Sequence, residues 1–481
     1  PDLLGFAAHW TWIWCVFWSS LFYAEGTLLN SSGSAGAAAG LSTIALEPLW
    51  VTSLLANVVT IAFLLLLSYL RNPLSDVRCL PVLAAALTAL GTLAISHPSL
   101  VMTGGGASTV YLAGSLLTGV GSGIVVVLWA ELLASLGSQR TVNYSVAALL
   151  LAAVAYLVIS LLPIDAAQMI VALLPLISMG CFVHFKRSVP RPPRAMRNVR
   201  VRAVPPMRMM VIAVFFGVSF GVMKGLIAPV GDEWIGVRDQ LNIIAIAGGA
   251  LAAFVAMGVC KMDFDHLTYQ IALPLMAAGF LFLPMHEPWN VIGTAVHQFG
   301  YQYFYIVLWA LWPVLASRGS VPTGWVVGWG LLCIQLGQFA GSVAAAIALT
   351  FVQSDLGLAM VSAGVIFAIL IIALFAMGSG SANTGWGFVK PMEEADAASD
   401  FEKAGTRLAR RCRLSPREIE VFFLLAKGRN RAYIREELVI GDETVKSHIK
   451  SIYRKADVHS QQELIDLLER ESSADEARGR G

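Results

Sequence analysis

The chain has 481 residues, 57% of them hydrophobic and only 13% charged, with a formal net charge of +2. Ordinary soluble domains carry about a quarter charged residues and disordered chains carry more, so both classes are excluded for most of this chain. An aqueous fold has no way to cover this much apolar surface, and a lipid bilayer is the expected solvent.

Twelve apolar runs are long enough to cross a bilayer, at roughly 6–29, 42–70, 79–97, 108–136, 141–163, 166–185, 207–230, 240–260, 265–285, 290–317, 322–352 and 356–378. The first is too long and too rich in Trp for a cleavable signal peptide, and Pro1 in place of an initiator Met is expected of a trimmed chain. With the N-terminus inside, the cytoplasmic connections hold Arg71, Arg78, Arg140, the run from Lys186 to Arg208, Lys261 and Arg318. The opposite connections hold essentially Arg238, beside Asp232, Glu233 and Asp239. This bias toward inside positive charge is expected to place both termini on the cytoplasmic side of a multi-pass membrane protein. The six cysteines are scattered, without a CxxC pair or a His partner, and read as small buried apolar residues. No metal, cofactor or enzymatic constellation is expected.

The membrane part divides at 186–206, a basic Pro-rich linker that cannot be one helix and is expected along the anionic inner leaflet. Six spans precede it (1–185) and six follow (207–378). The halves echo one another: Val127-Leu128-Trp129-Ala130 in the fourth span recurs as Val307-Leu308-Trp309-Ala310 in the tenth, and Val16-Phe17-Trp18 is matched by Val214-Phe215-Phe216. Helix count, central basic loop and pseudo-symmetry resemble the major facilitator superfamily, which implies a duplicated six-helix unit. The superfamily's Gly/Asp/Arg signature after the second span stands only as Leu74-Ser75-Asp76-Val77-Arg78, and after the eighth Lys261-Met262-Asp263-Phe264-Asp265 is as reduced. Those signatures serve the rocking cycle, so sensing is expected ahead of transport.

Ionisable groups inside spans are expensive and usually face a cavity or a partner. Glu25 in the first span and Lys224 in the seventh fall at nearly equivalent repeat positions and are expected to face each other across the centre. Trp18 and Phe22 share the Glu25 face, Phe220 shares that of Lys224, and the tenth span adds His297, Tyr301 and Gln302. These residues are the candidate contacts of a small-molecule inducer, with an aromatic ligand the preferred class. Aromatic residues near span ends also suit interfacial belts, and Glu25–Lys224 also suits a structural ion pair.

A Gly/Ser-rich leader and the acidic residues Glu393, Glu394, Asp396 and Asp400 form a flexible linker over 379–406, with a reach of roughly 30 Å. The acidic residues are expected to occupy the basic DNA face transiently. From Arg407 to Ala456 there are 13 Lys/Arg against 6 Asp/Glu, a surplus of 7, which is the footprint a phosphate backbone requires. Arg431–Leu438 reads as a short helix, Val439-Ile440-Gly441 as a tight connection, and Asp442 as the N-cap of a second helix. On that helix Val445, Ile449, Ile452 and Ala456 recur at buried spacing while Lys446, Ser447, Lys450 and Arg454 project from the other side. This is a helix-turn-helix able to enter a major groove.

Leu414-Ser415-Pro416-Arg417-Glu418-Ile419-Glu420-Val421, then Leu425 to Gly428 and Thr444-Val445-Lys446-Ser447-His448, resemble the LuxR-type (GerE-like) DNA-binding domain over about 55 residues. The run Arg429-Asn430-Arg431-Ala432 departs from the family's usual residues there. The resemblance implies a four-helix domain over 407–472 with a tail at 473–481, and double-stranded DNA as partner. It implies base-reading positions at Lys446, Ser447 and Lys450, and phosphate or positioning roles for Thr444, His448 and Arg454. It also implies pairing of two domains through the last helix, with its Leu464, Ile465, Leu467 and Leu468 face. The expected fold is therefore all-α: a polytopic, 6+6 pseudo-symmetric twelve-helix bundle plus a small helix-turn-helix domain. The expected function is a membrane-embedded, one-component transcription regulator; the alternative is a secondary transporter with an autoregulatory DNA-binding domain.

Overall fold

The computed structural model describes residues 2–19, 48–70, 73–97, 105–188, 207–226, 232–264, 266–319, 323–351, 355–378, 404–426, 428–438, 440–468 and 470. Among these no residue is in a strand. The chain divides into two compact units, one built from 1–191 and 201–392 and the other carrying the C-terminal helices. Glu25, Phe22, Glu47 and the acidic linker residues lie outside the described residues, as does most of 186–206.

The first unit has a helix at each of the twelve apolar runs: α1 (Asp2–Phe17), α2 (Pro48–Leu70), α3 (Cys79–Ser96), α4 (Gly105–Ala134), α5 (Ser138–Ser160) and α6 (Ile164–Ser188) in the first half. The second half holds α7 (Met207–Leu226), α8 (Asp232–Gly258), α9 (Leu273–Phe282), α10 (Trp289–Gly319), α11 (Thr323–Phe351) and α12 (Asp355–Gly378). Within a single segment only a helix satisfies the backbone polar groups inside hydrocarbon, which is why these runs are helical. Among the described residues eight helices are long and apolar enough to cross a membrane. The 31-residue α10 is not one of the eight, because His297, Gln298, Tyr301 and Gln302 interrupt its apolar surface. Val59, Phe63 and Leu66 of α2, each more than half exposed, have no aqueous rationale and face lipid.

Two spans differ from expectation. The eighth starts at Asp232 and not near 240, so Arg238 and Asp239 belong to the helix and not to a loop; Asp239 is buried, with the Arg238 guanidinium 3.4 Å away. A buried carboxylate with a cationic neighbour can be carried into a helix end that a hydropathy window rejects. The ninth opens as a π-helical stretch, His266–Ala272, before α9. Pro274 at the start of α9 has no N–H to give the preceding turn, so regular winding cannot run through it unbroken.

The packing repeats itself. Within the first half α2 packs on α4, α3 on α4, α1 on α5 and α3 on α6; adding six to each label gives α8 on α10, α9 on α10, α7 on α11 and α9 on α12, all of which are formed. Between the halves, α2 with α11 is mirrored by α5 with α8, and α4 with α11 by α5 with α10. The two Trp echoes meet at one residue: the Phe6 ring lies 5.4 Å from Trp129 and 5.3 Å from Trp309.

The tightest helix pair is α7 with α11. Gly217 and Gly221 on α7 face Gly337 and Gly341 on α11, a small-xxx-small face on each helix. A Cβ at Gly217 would collide with the Ile334 carbonyl, one at Gly221 with the Gln338 carbonyl, and one at Gly341 with the Val218 carbonyl. In lipid there is no hydrophobic force to press helices together, so this backbone-to-backbone approach replaces it with dispersion contact.

The second unit contains α13 (404–411), α14 (Pro416–Ala426), α15 (Arg431–Leu438), α16 (Asp442–Ala456) and α17 (461–468). The four helices of the expected domain are joined by α13, whose Ala404, Leu408 and Ala409 complete a core with Val421, Phe422, Ile434, Val445, Ile452, Leu464 and Leu468.

Gly221→Leu is expected to destabilise the membrane unit by about 3 kcal/mol or more, since the side chain meets backbone and not a yielding side chain. Gly364→Leu, where a Cβ meets nothing within 4 Å, serves as the matched control. Thermal unfolding of the purified protein distinguishes the two.

Candidate functional site

Two stretches of Ser-x-x-Glu build the C-terminal unit. At the first, the Ser415 amide donates to Glu418 Oε2 at 2.7 Å and the Glu418 amide donates to Ser415 Oγ at 3.3 Å, with Pro416 in the first helical position. This is a reciprocal cap. Glu418 then reaches further: Ser451 Oγ donates to its Oε1 at 2.6 Å and Lys455 Nζ to its Oε2 at 2.6 Å. One carboxylate thus ties the start of α14 to the recognition helix α16. Burial pushes its pKa up, but the hydrogen bonds from Lys455, Ser451 and the Ser415 amide outweigh that and hold it down to about 2. At the second box the His459 amide donates to Glu463 Oε2 at 2.8 Å, opening α17. That bond and the Ser460 hydroxyl lower the Glu463 carboxyl.

The helix-turn-helix is set by local bonds. Asn430 Oδ1 accepts the Tyr433 amide at 2.9 Å and so caps α15, and the Arg429 guanidinium lies 4.8 Å over the Tyr433 ring. The departure from the family's usual residues therefore still supplies a cap. Asp442 is not the N-cap: Gly441 holds that place and its carbonyl accepts the Val445 amide at 3.0 Å. Asp442 and Glu443 sit in the first turn, where their charge still favours the helix dipole. Gln461 Nε2 donates to the Leu425 carbonyl at 2.9 Å and to the Arg429 carbonyl at 3.0 Å, fastening α17 to the α14–α15 turn.

On α16, Val445, Ile452 and Ala456 are buried and Ile449 is half-buried against the same core. Thr444, Lys446, Ser447, Lys450 and Arg454 are all exposed, and His448 is half-buried. Helical spacing puts Lys446, Lys450, Arg454 and Ser447 on one face, with Thr444 and His448 flanking it. Lys446 Nζ lies 3.5 Å from the exposed Glu443, a solvated contact that DNA phosphate readily replaces. On α17, Leu464 and Leu468 are buried in their own core, so only Ile465 and Leu467 of the expected pairing face remain partly exposed.

In the membrane unit a cavity of about 110 Å³ is lined by α1 and α2 with Ser122 and Val126 of α4 on one side, and by α7, α10 and α11 on the other. Trp18, Phe220, Tyr301 and Gln302 are in its wall. Trp18 meets Phe220 edge-on at 5.4 Å and Phe220 lies 4.2 Å from Tyr301, whose hydroxyl accepts from Gln338 Nε2 at 2.7 Å. Lys224 is not in the wall: its ammonium donates to the Phe17 carbonyl at 3.0 Å and lies 4.5 Å over the Trp18 ring. His297 is also outside it, turned toward Ser219 Oγ at 3.2 Å and edge-on to Phe280 at 5.2 Å. A histidine one turn from Tyr301 shares its stripe, yet α9 packs on that flank of α10 and takes the ring instead.

Sequence reasoning passed over His9, Trp10, Trp50 and Asn57, which all line the cavity. His9 was the available signal, a titratable residue in the middle of an apolar run. Glu131, in the fourth span, is buried and accepts the Leu74 amide at 3.0 Å and the Ser75 amide at 2.8 Å, so it organises the connection after α2. In that connection Asp76 pairs with Lys186 at 2.9 Å.

Glu418→Ala is expected to lower the stability of the C-terminal unit by about 3 kcal/mol. In the unaltered protein the folded carboxyl lies below its unfolded value of 4.5, so its contribution is complete above that pH and is lost as pH falls toward 2. Denaturant unfolding followed between pH 6 and about 2.5 checks both the size and the window.

Residues 413–468 match the family model "Bacterial regulatory proteins, luxR family". Sixty-four residues are 36% identical to the HTH-type transcriptional activator RamA of Corynebacterium glutamicum, covering 13% of this chain and 23% of RamA, so this chain matches about a quarter of that relative's length. The helical bundle is similar to the human organic anion transporter MFSD10 (TETRAN), with a TM-score of 0.52 at 16% identity over 77% of this chain and 97% of that one. It is also similar to the major facilitator superfamily transporter FucP in its outward conformation, with a TM-score of 0.50 at 13% identity over 78% and 98% of the two chains. The chain is a multi-pass membrane bundle of the major facilitator superfamily fold, carrying at residues 413–468 a DNA-binding domain of the luxR family of bacterial regulatory proteins.

Proposed function

We propose that this chain is a one-component transcription regulator of the bacterial cytoplasmic membrane, with both termini inside. A small molecule binds between the two halves of the bundle and changes how the tethered domain engages DNA. The observation that carries this reading is the cavity itself, walled by helices of both halves in a chain that also presents Lys446, Ser447 and Lys450 on an exposed helix. A ligand shifts an equilibrium only by its different affinity for two states. A site whose wall is divided between two pseudo-equivalent halves meets that condition, since any relative movement of the halves changes its shape.

Hydrogen bonds between described residues of the two halves are individually modest. Trp50 Nε1 donates to Ser342 Oγ at 3.3 Å, Ser138 Oγ to the Ala310 carbonyl at 2.7 Å, and Lys224 Nζ to the Phe17 carbonyl at 3.0 Å. At about 1 kcal/mol each, such bonds are small beside the few kcal/mol that separate the states of a switch. Two DNA-binding domains pair on a two-fold site, Ile465 and Leu467 contributing to the contact, and Lys446, Ser447 and Lys450 read bases while Thr444, His448 and Arg454 position the helix on phosphates.

Lys446→Ala and Lys450→Ala are each expected to weaken binding to a duplex selected by the protein by about 1–3 kcal/mol and to relax its sequence preference, whereas Arg454→Ala weakens all duplexes alike and lowers the salt slope by about 1. Fluorescence anisotropy at several salt concentrations reads both quantities. The sensing half of the proposal is tested by expressing residues 379–481 alone: the regulated genes are expected to lose their response to the inducer. An undiminished response from that fragment would defeat it, and substrate accumulation in vesicles driven by a proton gradient would favour the transporter reading.

A further inference from the structure

Resting on the reading of the cavity as the sensing site, we infer that its ligand is an uncharged, flat molecule bearing both hydrogen-bond donors and acceptors on its edge. Among the described lining residues there is no Asp, Glu, Lys or Arg. Against these residues a charged ligand would shed its water without meeting a counter-charge, the least favourable exchange a buried site can offer. Lys224, a cation suited to an anion, stands outside the wall with its ammonium on the Phe17 carbonyl and the Trp18 ring.

The wall is nevertheless not apolar. Twelve buried side-chain nitrogen and oxygen atoms lack a hydrogen-bond partner among the described residues, and five of them belong to residues lining this one cavity: His9 Nε2, Trp10 Nε1, Asn57 Oδ1, Gln302 Nε2 and Gln335 Oε1. Neighbouring groups of the same chemistry are satisfied inside the protein. Trp12 Nε1 donates to Thr92 Oγ1 at 2.9 Å, Trp129 Nε1 to Ser178 Oγ at 3.0 Å and Asn57 Nδ2 to Ser122 Oγ at 3.1 Å. An orphaned polar atom in a membrane interior is costly, so a cluster of five around a void asks for a guest that satisfies them. Trp10 Nε1 and Gln302 Nε2 can only donate, Asn57 Oδ1 and Gln335 Oε1 can only accept, and His9 serves either role by tautomer. The guest must therefore present both kinds of group.

Its shape follows from the remaining wall. Trp10, Trp18, Trp50, Phe220 and Tyr305 offer ring faces and edges, which favour a planar partner over a bulky aliphatic one.

Four probes share one ring and differ only in substituent: benzamide, benzoate, benzylamine and toluene. Added at equal concentration, about 5 mM, to the full-length protein in detergent, benzamide is expected to raise Tm by about 2–4 °C, and the other three by less than a quarter of that. The benzamide shift is expected to disappear in Asn57→Leu and in Gln302→Leu, each first checked for an unliganded Tm within a few degrees of the parent. The inference is overturned if benzoate or benzylamine matches benzamide, if toluene matches it, or if benzamide gives no shift in the unaltered chain, which would leave the five atoms to bound water. Failure of the regulatory reading looks different: benzamide would stabilise the protein in the Asn57- and Gln302-dependent way while leaving its affinity for DNA unchanged.

Discussion

The backbone contact between α7 and α11 is the constraint on which the membrane unit depends. Gly217 and Gly221 against Gly337 and Gly341 bring two helices close enough that the carbonyls of Ile334, Gln338 and Val218 occupy the volume a Cβ would need. With the two backbones locked, their side-chain rows are in fixed register. Phe220, adjacent to Gly221, and Gln338, adjacent to Gly337, thereby fall in the same wall as Tyr301 of α10. The hydrogen bond from Gln338 to the Tyr301 hydroxyl then holds the third helix to the pair. Packing that is insensitive to water thus positions polar groups that are not.

Against this rigid wall stands a different kind of surface. The α1 and α2 side presents His9, Trp10, Trp18, Trp50 and Asn57, and its contacts with the other half include ring pairs: Trp18 with Phe220, Trp10 with Tyr305, Trp50 with Phe220. Ring-on-ring contacts are each worth about 1 kcal/mol and tolerate sliding better than interlocked backbones do. In the proposed reading the bundle has one joint that resists movement, inside the second half, and a softer one between halves. That ordering of strengths is what a two-state element needs, because small changes at the soft joint leave each half intact.

The sequence was readable wherever one residue type has one use. Each of the twelve apolar runs holds a helix, since a bilayer punishes any other pattern, and the repeated Val-Leu-Trp-Ala marked α4 and α10 as equivalents, both facing Phe6. The helix-turn-helix was equally plain, its buried stripe and basic face lying where helical spacing put them, with only Asp442 displaced by one residue from the cap. What stayed hidden were choices between neighbours. His297 and Tyr301 share a stripe, and only the placement of α9 decides that the first turns to Ser219 and the second to the cavity. Asp239 looked like a loop residue because its burial beside Arg238 is a tertiary fact. The glycine face on α7 and α11 and the two Ser-x-x-Glu boxes were present in the sequence as patterns, but the first competes with ordinary glycine usage in membrane helices and the second is short enough to recur by chance.

Glu418 shows how the DNA-reading face is held ready. A carboxylate that merely capped α14 would accept only the Ser415 amide; this one also takes Ser451 and Lys455 from the recognition helix. Lys455 is consumed in that bridge, so although it belongs to the same helix as Lys446, Lys450 and Arg454, its charge is spent inside the domain. The division is physical. A lysine satisfied by a buried carboxylate gains little from phosphate, whereas an exposed lysine releases counterions from DNA when it binds. The orientation of α16 is therefore held by the Glu418–Lys455 bridge, and in the proposed reading its affinity for DNA is left to the solvent-facing Lys446, Lys450 and Arg454. On that reading, a signal that alters how two such domains meet changes occupancy of DNA without remaking the surface that reads it.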